Sequence, residues 1–360
     1  MKAKKLKLKN STRWEVMFYL NGRGSKRIRK RFDRKVDADE FIKEYLKTPL
    51  KKKEEASSKE DKLTLFSEGE YWLKTRGPEI SVGHLLRVEG ILNKLYENYG
   101  HYPILRFDHA LLSKIRNNLL KNGLSVATVN RWISSITSIM NYSFSHKRIF
   151  SNPSSGFKLI KEVREGISFW ERSEASNFLK YCENKYLRKD DNWKYLVYLL
   201  ALNTGLRAGE IWGLKVKDFK WTRGHIHISR QFCKASKTFK ETKGKDNRRV
   251  PLNDSLKKLF SEYLDGEEAN DLVFRNKSGN AINHNNFRSR QFLNDVSGSK
   301  VREIRFHDLR HTALTHMVDS GINMKTIQYI AGHKEITTTM KYIHLLGSSL
   351  DYVASNFKIA

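Results

Sequence analysis

The residues best suited to chemistry in this sequence lie in its C-terminal half. They are Arg207 in T-G-L-R-A-G-E, Lys243 in T-K-G-K-D-N-R-R-V-P-L, His307 and Arg310 in H-D-L-R-H-T, His333 in A-G-H-K and Tyr342 in T-T-T-M-K-Y-I-H. The set suits displacement at a phosphodiester. That centre is an anion and repels a nucleophile until its non-bridging oxygens are compensated. Arg207 and Arg310 offer permanently charged, planar forks of donors that match phosphate. Charge that grows in the pentacoordinate transition state is held by donors fixed in advance, each worth about 10²–10³ in rate. His307 and Arg310 are three residues apart, which on a helix puts both on one face and lets them address one phosphate. Tyr342 is the candidate nucleophile. A free phenol titrates near pKa ~10, so its proton needs a local acceptor, and His307 is the candidate for that role.

The order and spacing of these five stretches resemble the tyrosine recombinases, the phage-integrase family of DNA breaking and joining enzymes. The resemblance implies attack by Tyr342 to give a 3′-phosphotyrosyl bond and a 5′-hydroxyl. One phosphoester replaces another, so no ATP, metal or other cofactor is called for. His333 stands where the family has a histidine or tryptophan that bonds a phosphoryl oxygen, and Lys334 after it is a candidate contact to the DNA backbone. The family's general acid is a lysine on a β-hairpin turn, which matches Lys243, with Lys245 as the alternative if the turn is shifted. Glu210, three residues after Arg207, is expected to hold that arginine in place.

Each residue also has a plainer reading. An isolated arginine or lysine in so basic a chain is usually a solvated charge, and a tyrosine near a C-terminus is usually packing; it is the joint pattern that argues for a site. His307 and His311 have the i, i+4 spacing of zinc ligands, but the H-E-x-x-H glutamate is missing and Arg310 lies between them. No metal site is expected.

Composition points to the same substrate. The chain has 68 Lys+Arg against 39 Asp+Glu, a formal net charge of +29, which favours a polyanionic partner because basic side chains on phosphates release condensed counterions. Membrane surfaces are anionic too. However, no stretch approaches a spanning helix, and the most apolar run, Tyr195 to Leu202, reads as a buried helix segment. The lysine-rich start lacks the apolar core of a signal peptide. Cys182 and Cys233 are the only cysteines, so a disulfide framework is not expected and a cytoplasmic setting fits.

The elements that must position these residues form a mainly α, multidomain α+β chain. Residues 1–60 hold 20 Lys/Arg against 9 Asp/Glu. Within them the sequence predicts a strand over Trp14 to Leu20, a turn at Asn21 to Gly24, a basic strand over Ser25 to Phe32 and a helix over Val36 to Leu46. This resembles the arm-type DNA-binding domain of many integrases (1–50), with Arg27, Arg29, Lys30 and Arg31 as candidate DNA contacts; a basic hairpin without sequence specificity is the alternative. Residues 51–62 have a linker's composition. Four amphipathic helices are expected over 63–160, around Leu65 to Leu73, Leu85 to Tyr99, Leu111 to Leu119 and Ser125 to Phe144, forming a core-binding domain with Arg131 as a candidate contact. A catalytic domain follows over 166–346, in which K-E-T-K-G-K-D-N-R-R-V-P-L carries a turn and its return strand. The tail, 347–360, places Leu350, Val353 and Phe357 for contact with a neighbouring protomer.

The sequence thus reads as an integrase or excisionase of a phage, transposon or integrative element. It is expected to act on double-stranded DNA as a homo-tetramer on paired sites, with accessory DNA-bending or directionality proteins as further partners. The alternatives are a chromosome-dimer resolvase of the same family, a type IB topoisomerase, or a DNA-binding architectural protein that has lost the chemistry.

Overall fold

The computed structural model describes residues 3–8, 11–19, 27–47, 63–162, 166–241 and 247–343. The chain divides into two compact units, Met1–Val163 and Arg164–Ala360. The turn at Asn21 to Gly24, the 51–62 linker, Lys243, Lys245 and the 347–360 tail lie outside the described residues.

In the first unit, β1 (Ala3–Leu8), β2 (Ser11–Tyr19) and β3 (Arg27–Phe32) form an antiparallel sheet in the order β1-β2-β3, followed by α1 (Lys35–Lys47). Val16 and Ala38 are fully buried. Strand β1 was not expected, because its lysine run reads as solvated charge; it is an edge strand, where lysine is well tolerated.

Four helices follow: α2 (Leu65–Arg76), α3 (Val82–Tyr99), α4 (His109–Lys121) and α5 (Val126–Ser145). Each starts where a short polar side chain accepts a bond from a first-turn amide, namely Thr64, Ser81, Asp108 and Ser125. Their apolar faces meet in one core containing Trp72, Leu92, Leu95, Leu112, Ile133 and Ile136. Glu68 is buried in this bundle, where Arg148 binds it through two hydrogen bonds of 2.8 and 2.7 Å and Ser143 through one of 2.7 Å.

The second unit begins with α6 (Arg172–Tyr186) and α7 (Trp193–Thr204), then a short α8 (Ala208–Ile211). The apolar run in α7 is buried from Tyr195 to Ala201, as its composition requires. Strands β4 (Phe219–Lys220), β5 (His225–Ile228), β6 (Arg230–Cys233), β7 (Thr238–Glu241) and β8 (Arg248–Pro251) come next. They form a sheet in the order β4-β5-β8 and a separate β6-β7 hairpin.

The expected return strand is present as β8. The strand that pairs with β7 is β6, in a register that sets Phe232 opposite Phe239, whereas β8 pairs with β5. The inward alternation of Arg248 and Val250 with Ile226 and Ile228 commits β8 to the domain core instead.

The remainder is helical: α9 (Asp254–Tyr263), α10 (His284–Phe287), α11 (Leu293–Ser299), α12 (Asp308–Asp319), α13 (Met324–Ala331) and α14 (Ile336–Met340). An aromatic core of Trp170, Phe178, Tyr198, Trp212, Phe292 and Phe306 fixes α6, α7, α10 and α11. It encloses Asp295, whose carboxylate accepts bonds from the Tyr186 and Tyr198 hydroxyls at 2.6 and 2.7 Å. Among the described residues no helix is long and apolar enough to cross a membrane. The architecture is mainly α with small sheets in a multidomain chain.

Candidate active site

Two helix ends build the site. Helices α7 and α13 both stop on a glycine in the left-handed region, Gly205 (φ 63°) and Gly332 (φ 63°), a termination that leaves the last carbonyls without intrahelical partners. At α13 three consecutive carbonyls are each taken by an arginine. Ile330 accepts from Arg248 Nε at 2.6 Å, Ala331 from Arg310 Nη2 at 2.6 Å and Gly332 from Arg207 Nη2 at 2.9 Å. The Gly205 carbonyl accepts from Arg310 Nη1 at 2.8 Å. The negative ends of the two helices thus hold the guanidinium groups together against their mutual repulsion.

Glu210 completes the frame. It lies in the first turn of α8 and binds the Arg207 amide at 2.8 Å and Arg207 Nη1 at 3.1 Å, the contact its spacing suggested. Its carboxylate also takes two hydrogen bonds from Arg248, at 2.9 and 2.8 Å. Burial alone would raise its pKa, but the bonds and charge of Arg248, with the charge of Arg207, outweigh it and hold the carboxyl below the usual range. Sequence reasoning assigned Arg248 no role. The signal was the alternation in R-R-V-P, which turns Arg248 to the same face as buried Val250.

Arg310 is buried, and its guanidinium is pushed down to about 10, first by burial and then by the charge of Arg207. It also donates to His333 Nε2 at 2.9 Å, while His333 Nδ1 lies 2.9 Å from Thr339 Oγ1. Arginine is only a donor, so Nε2 accepts and the His333 proton sits on Nδ1, bonded to Thr339. Burial, then the charges of Arg310, Arg207 and Arg248, push His333 down to about 4 and keep it neutral near pH 7. Thr339 is a second residue missed in the sequence; a threonine in T-T-T carries no sign of its partner.

Tyr342 is buried, with its ring parallel to that of His333 at 6.3 Å between centroids. Burial pushes the phenol above its ordinary value, and the charges of Arg310 and Arg207 offset this only in part.

The histidine beside the Tyr342 hydroxyl is His311. The hydroxyl of Tyr342 is 2.8 Å from Nδ1 of His311. His307, at the exposed N-terminal boundary of α12, stands behind it with its ring edge-on to that of His311 at 4.9 Å. One turn further along α12 faces the Tyr342 segment, and that turn carries His311.

Of the other sequence candidates, Arg29 and Arg31 are exposed on β3, where Arg31 Nε pairs with buried Glu15 at 3.1 Å. Lys30 Nζ lies 4.3 Å from the Phe41 ring centroid. Arg27 belongs to β3, but its side chain lies outside the description. Arg131 on α5 and Lys334 after α13 are exposed. Arg207, Arg310, His333 and Tyr342 are thus brought together, with His307 alongside; Lys243 and Lys245 are not placed.

The Phage integrase family profile matches residues 169–348, half of the chain and all of these placed positions from Arg207 to Tyr342. The chain belongs to the phage integrase family. This integrase-family chain is 26% identical to the integrase of Escherichia phage P2 over 335 residues, which cover 92% of this chain and 88% of that one. It is 26% identical to the ICEBs1 integrase of Bacillus subtilis (strain 168) over 269 residues, 71% of this chain and 72% of that one. Among solved structures, the Tn1549 transposon integrase in complex with a circular intermediate DNA superposes with a TM-score of 0.68 at 21% identity, covering 78% of this chain and 94% of that one. A λ integrase tetramer bound to a Holliday junction gives 0.62 at 18% identity, with 91% of each chain covered. The protein is a DNA strand-transferase of the tyrosine-recombinase class.

Proposed function

We propose that this recombinase is the integrase or excisionase of a mobile element, exchanging strands of double-stranded DNA at paired sites through a 3′-phosphotyrosyl intermediate and a Holliday junction. The observation that carries the reading is the convergence of Arg207, Arg310, His333 and Tyr342 on the end of α13. In it, Arg207 and Arg310 bind the scissile phosphate, His307 and His333 add donors to its oxygens, and Tyr342 attacks phosphorus. Lys243 protonates the departing 5′-oxygen. A phosphate entering the site competes for Arg310 and frees His333 Nε2, which donates once the imidazole proton moves to it and the Thr339 hydroxyl donates to Nδ1 instead.

An integrase is favoured over a chromosome-dimer resolvase by the reach of the likeness. The phage P2 integrase aligns with 92% of this chain, against 64% for the recombinase XerD of Oceanobacillus iheyensis and 73% for that of Staphylococcus aureus (strain Mu50 / ATCC 700699). The β1–β3 sheet with α1 serves as an arm that binds DNA apart from the crossover site, 63–160 grips the duplex at the crossover site, and the tail joins protomers of a tetramer. Accessory DNA-bending or directionality proteins fit an element of this kind.

The test is to incubate the protein with plasmids carrying two copies of the DNA that flanks its own gene. Recombinant joints and four-way intermediates are expected. Relaxation of a plasmid that lacks any such site, without joints, would contradict the proposal and indicate a type IB topoisomerase.

A further inference from the structure

The geometry points to His311 as the catalytic base that takes the Tyr342 proton, with Asp308 as its orienting carboxylate. This rests on the reading of Tyr342 as nucleophile and goes beyond it, since the resemblance gives His311 no role.

His311 Nδ1 is the ring nitrogen 2.8 Å from the Tyr342 hydroxyl, within the reach a base needs. Its other nitrogen, Nε2, lies 3.9 Å from Asp308 Oδ1, within reach of the carboxylate's charge but beyond a hydrogen bond. That carboxylate is buried and itself held by Arg305, whose Nε and Nη2 reach its two oxygens at 3.0 and 2.8 Å. A carboxylate on the Nε2 side favours the tautomer with the proton there, leaving the Nδ1 lone pair toward the phenol. Nucleophile, imidazole and carboxylate thus stand in the order that activates a hydroxyl in other enzymes.

The two other candidate bases are less well placed. His333 spends Nε2 on Arg310 and its Nδ1 proton on Thr339. His307 is exposed at the start of the helix. Burial, then the charge of His307, pushes His311 down to about 4, so it is neutral and able to accept. The charge of Asp308 raises its basicity and so stabilises the protonated form.

In the step, the Tyr342 proton moves to His311 Nδ1 as the tyrosyl oxygen bonds to phosphorus. The bond from phosphorus to the 5′-oxygen breaks, its electron pair leaves with that oxygen, and the general acid protonates it. In rejoining, a 5′-hydroxyl attacks, the phosphotyrosyl bond breaks, and Tyr342 recovers its proton from His311. No net proton or redox change accompanies the cycle.

The experiment uses nicked duplexes of the DNA flanking the gene, with covalent adduct formation timed for wild type, Tyr342→Phe, His311→Ala and His311→Asn. Each is repeated, Tyr342→Phe excepted, with difluorotyrosine at position 342. His311→Ala is expected to bind DNA as wild type does but to form adduct about 10²- to 10³-fold more slowly. The more acidic phenol is expected to recover roughly tenfold or more of that loss while changing wild type little. Should His311→Ala lose DNA binding through misfolding, His311→Asn, which keeps a polar atom near Nδ1, carries the same comparison. Wild-type rates in the variant, or a loss that difluorotyrosine leaves unrepaired, would overturn the assignment of His311 alone. An adduct with Tyr342→Phe would instead overturn the nucleophile reading and this inference with it.

Discussion

Arg248 and Glu210 form a buried pair with two hydrogen bonds, at 2.9 and 2.8 Å, and side chains only 4% and 2% exposed. The pair ties β8 to α8, Arg248 ties both to the end of α13 through the carbonyl of Ile330, and Glu210 also holds the backbone amide of Arg207. It is therefore the scaffold on which Arg207 is aimed.

Replacing Arg248 by Met should leave Glu210 buried with Arg207 as its remaining guanidinium partner and cost about 3–5 kcal/mol of folding stability, read from urea unfolding. Adding Glu210→Gln should recover part of that loss, because the uncompensated charge is then removed. A double variant that is less stable than Arg248→Met would contradict this origin of the cost.

Gly332→Ala should act on geometry. The residue has φ 63°, and an added Cβ would come within 3.0 Å of Arg248 Nη1 and 3.3 Å of Arg207 Nη1. The left-handed backbone costs about 1–2 kcal/mol for a residue other than glycine. Displacement of Arg207 should slow cleavage by roughly tenfold or more while DNA binding persists. Cleavage at the wild-type rate would show that the Arg207 position tolerates the shift.

Acid should weaken the catalytic unit through its histidines. Burial, followed by the charge of His307 for His311 and of Arg310 for His333, pushes both imidazoles down to about 4, against ~6.5 in the unfolded chain. Between those values the unfolded state holds protons that the folded state lacks. Stability therefore falls as pH drops from about 6.5 toward 4, and these groups contribute no slope above that window. Urea midpoints taken across it should decline for wild type and decline less for His311→Asn with His333→Asn. An equal decline would locate the effect elsewhere.

Much of this was legible in the sequence, and the reasons are local. Helices α2 to α5 follow from apolar spacing and from the caps Thr64, Ser81, Asp108 and Ser125, and α7 from a run too apolar to be exposed. Arg207, Glu210 and Arg310 stood out by residue type and spacing. The parts not legible depend on partners remote in the chain or on backbone atoms. A carbonyl at Ile330, Ala331 or Gly332 has no sequence signature, so the triple arginine dock could not be read. The choice of His311 over His307 depends on which turn of α12 faces Tyr342, and the pairing of β8 with β5 on a long-range competition that its glycine-containing approach segment disguised.

The central claim is that Tyr342 forms the covalent bond to DNA. The most direct measurement is to incubate wild type and Tyr342→Phe with nicked duplexes from the DNA flanking the gene, denature in SDS and look for a protein–DNA adduct. An adduct with wild type that maps to the Tyr342 peptide, and none with Tyr342→Phe despite normal binding, is the predicted result. An adduct of equal yield in Tyr342→Phe would contradict the account.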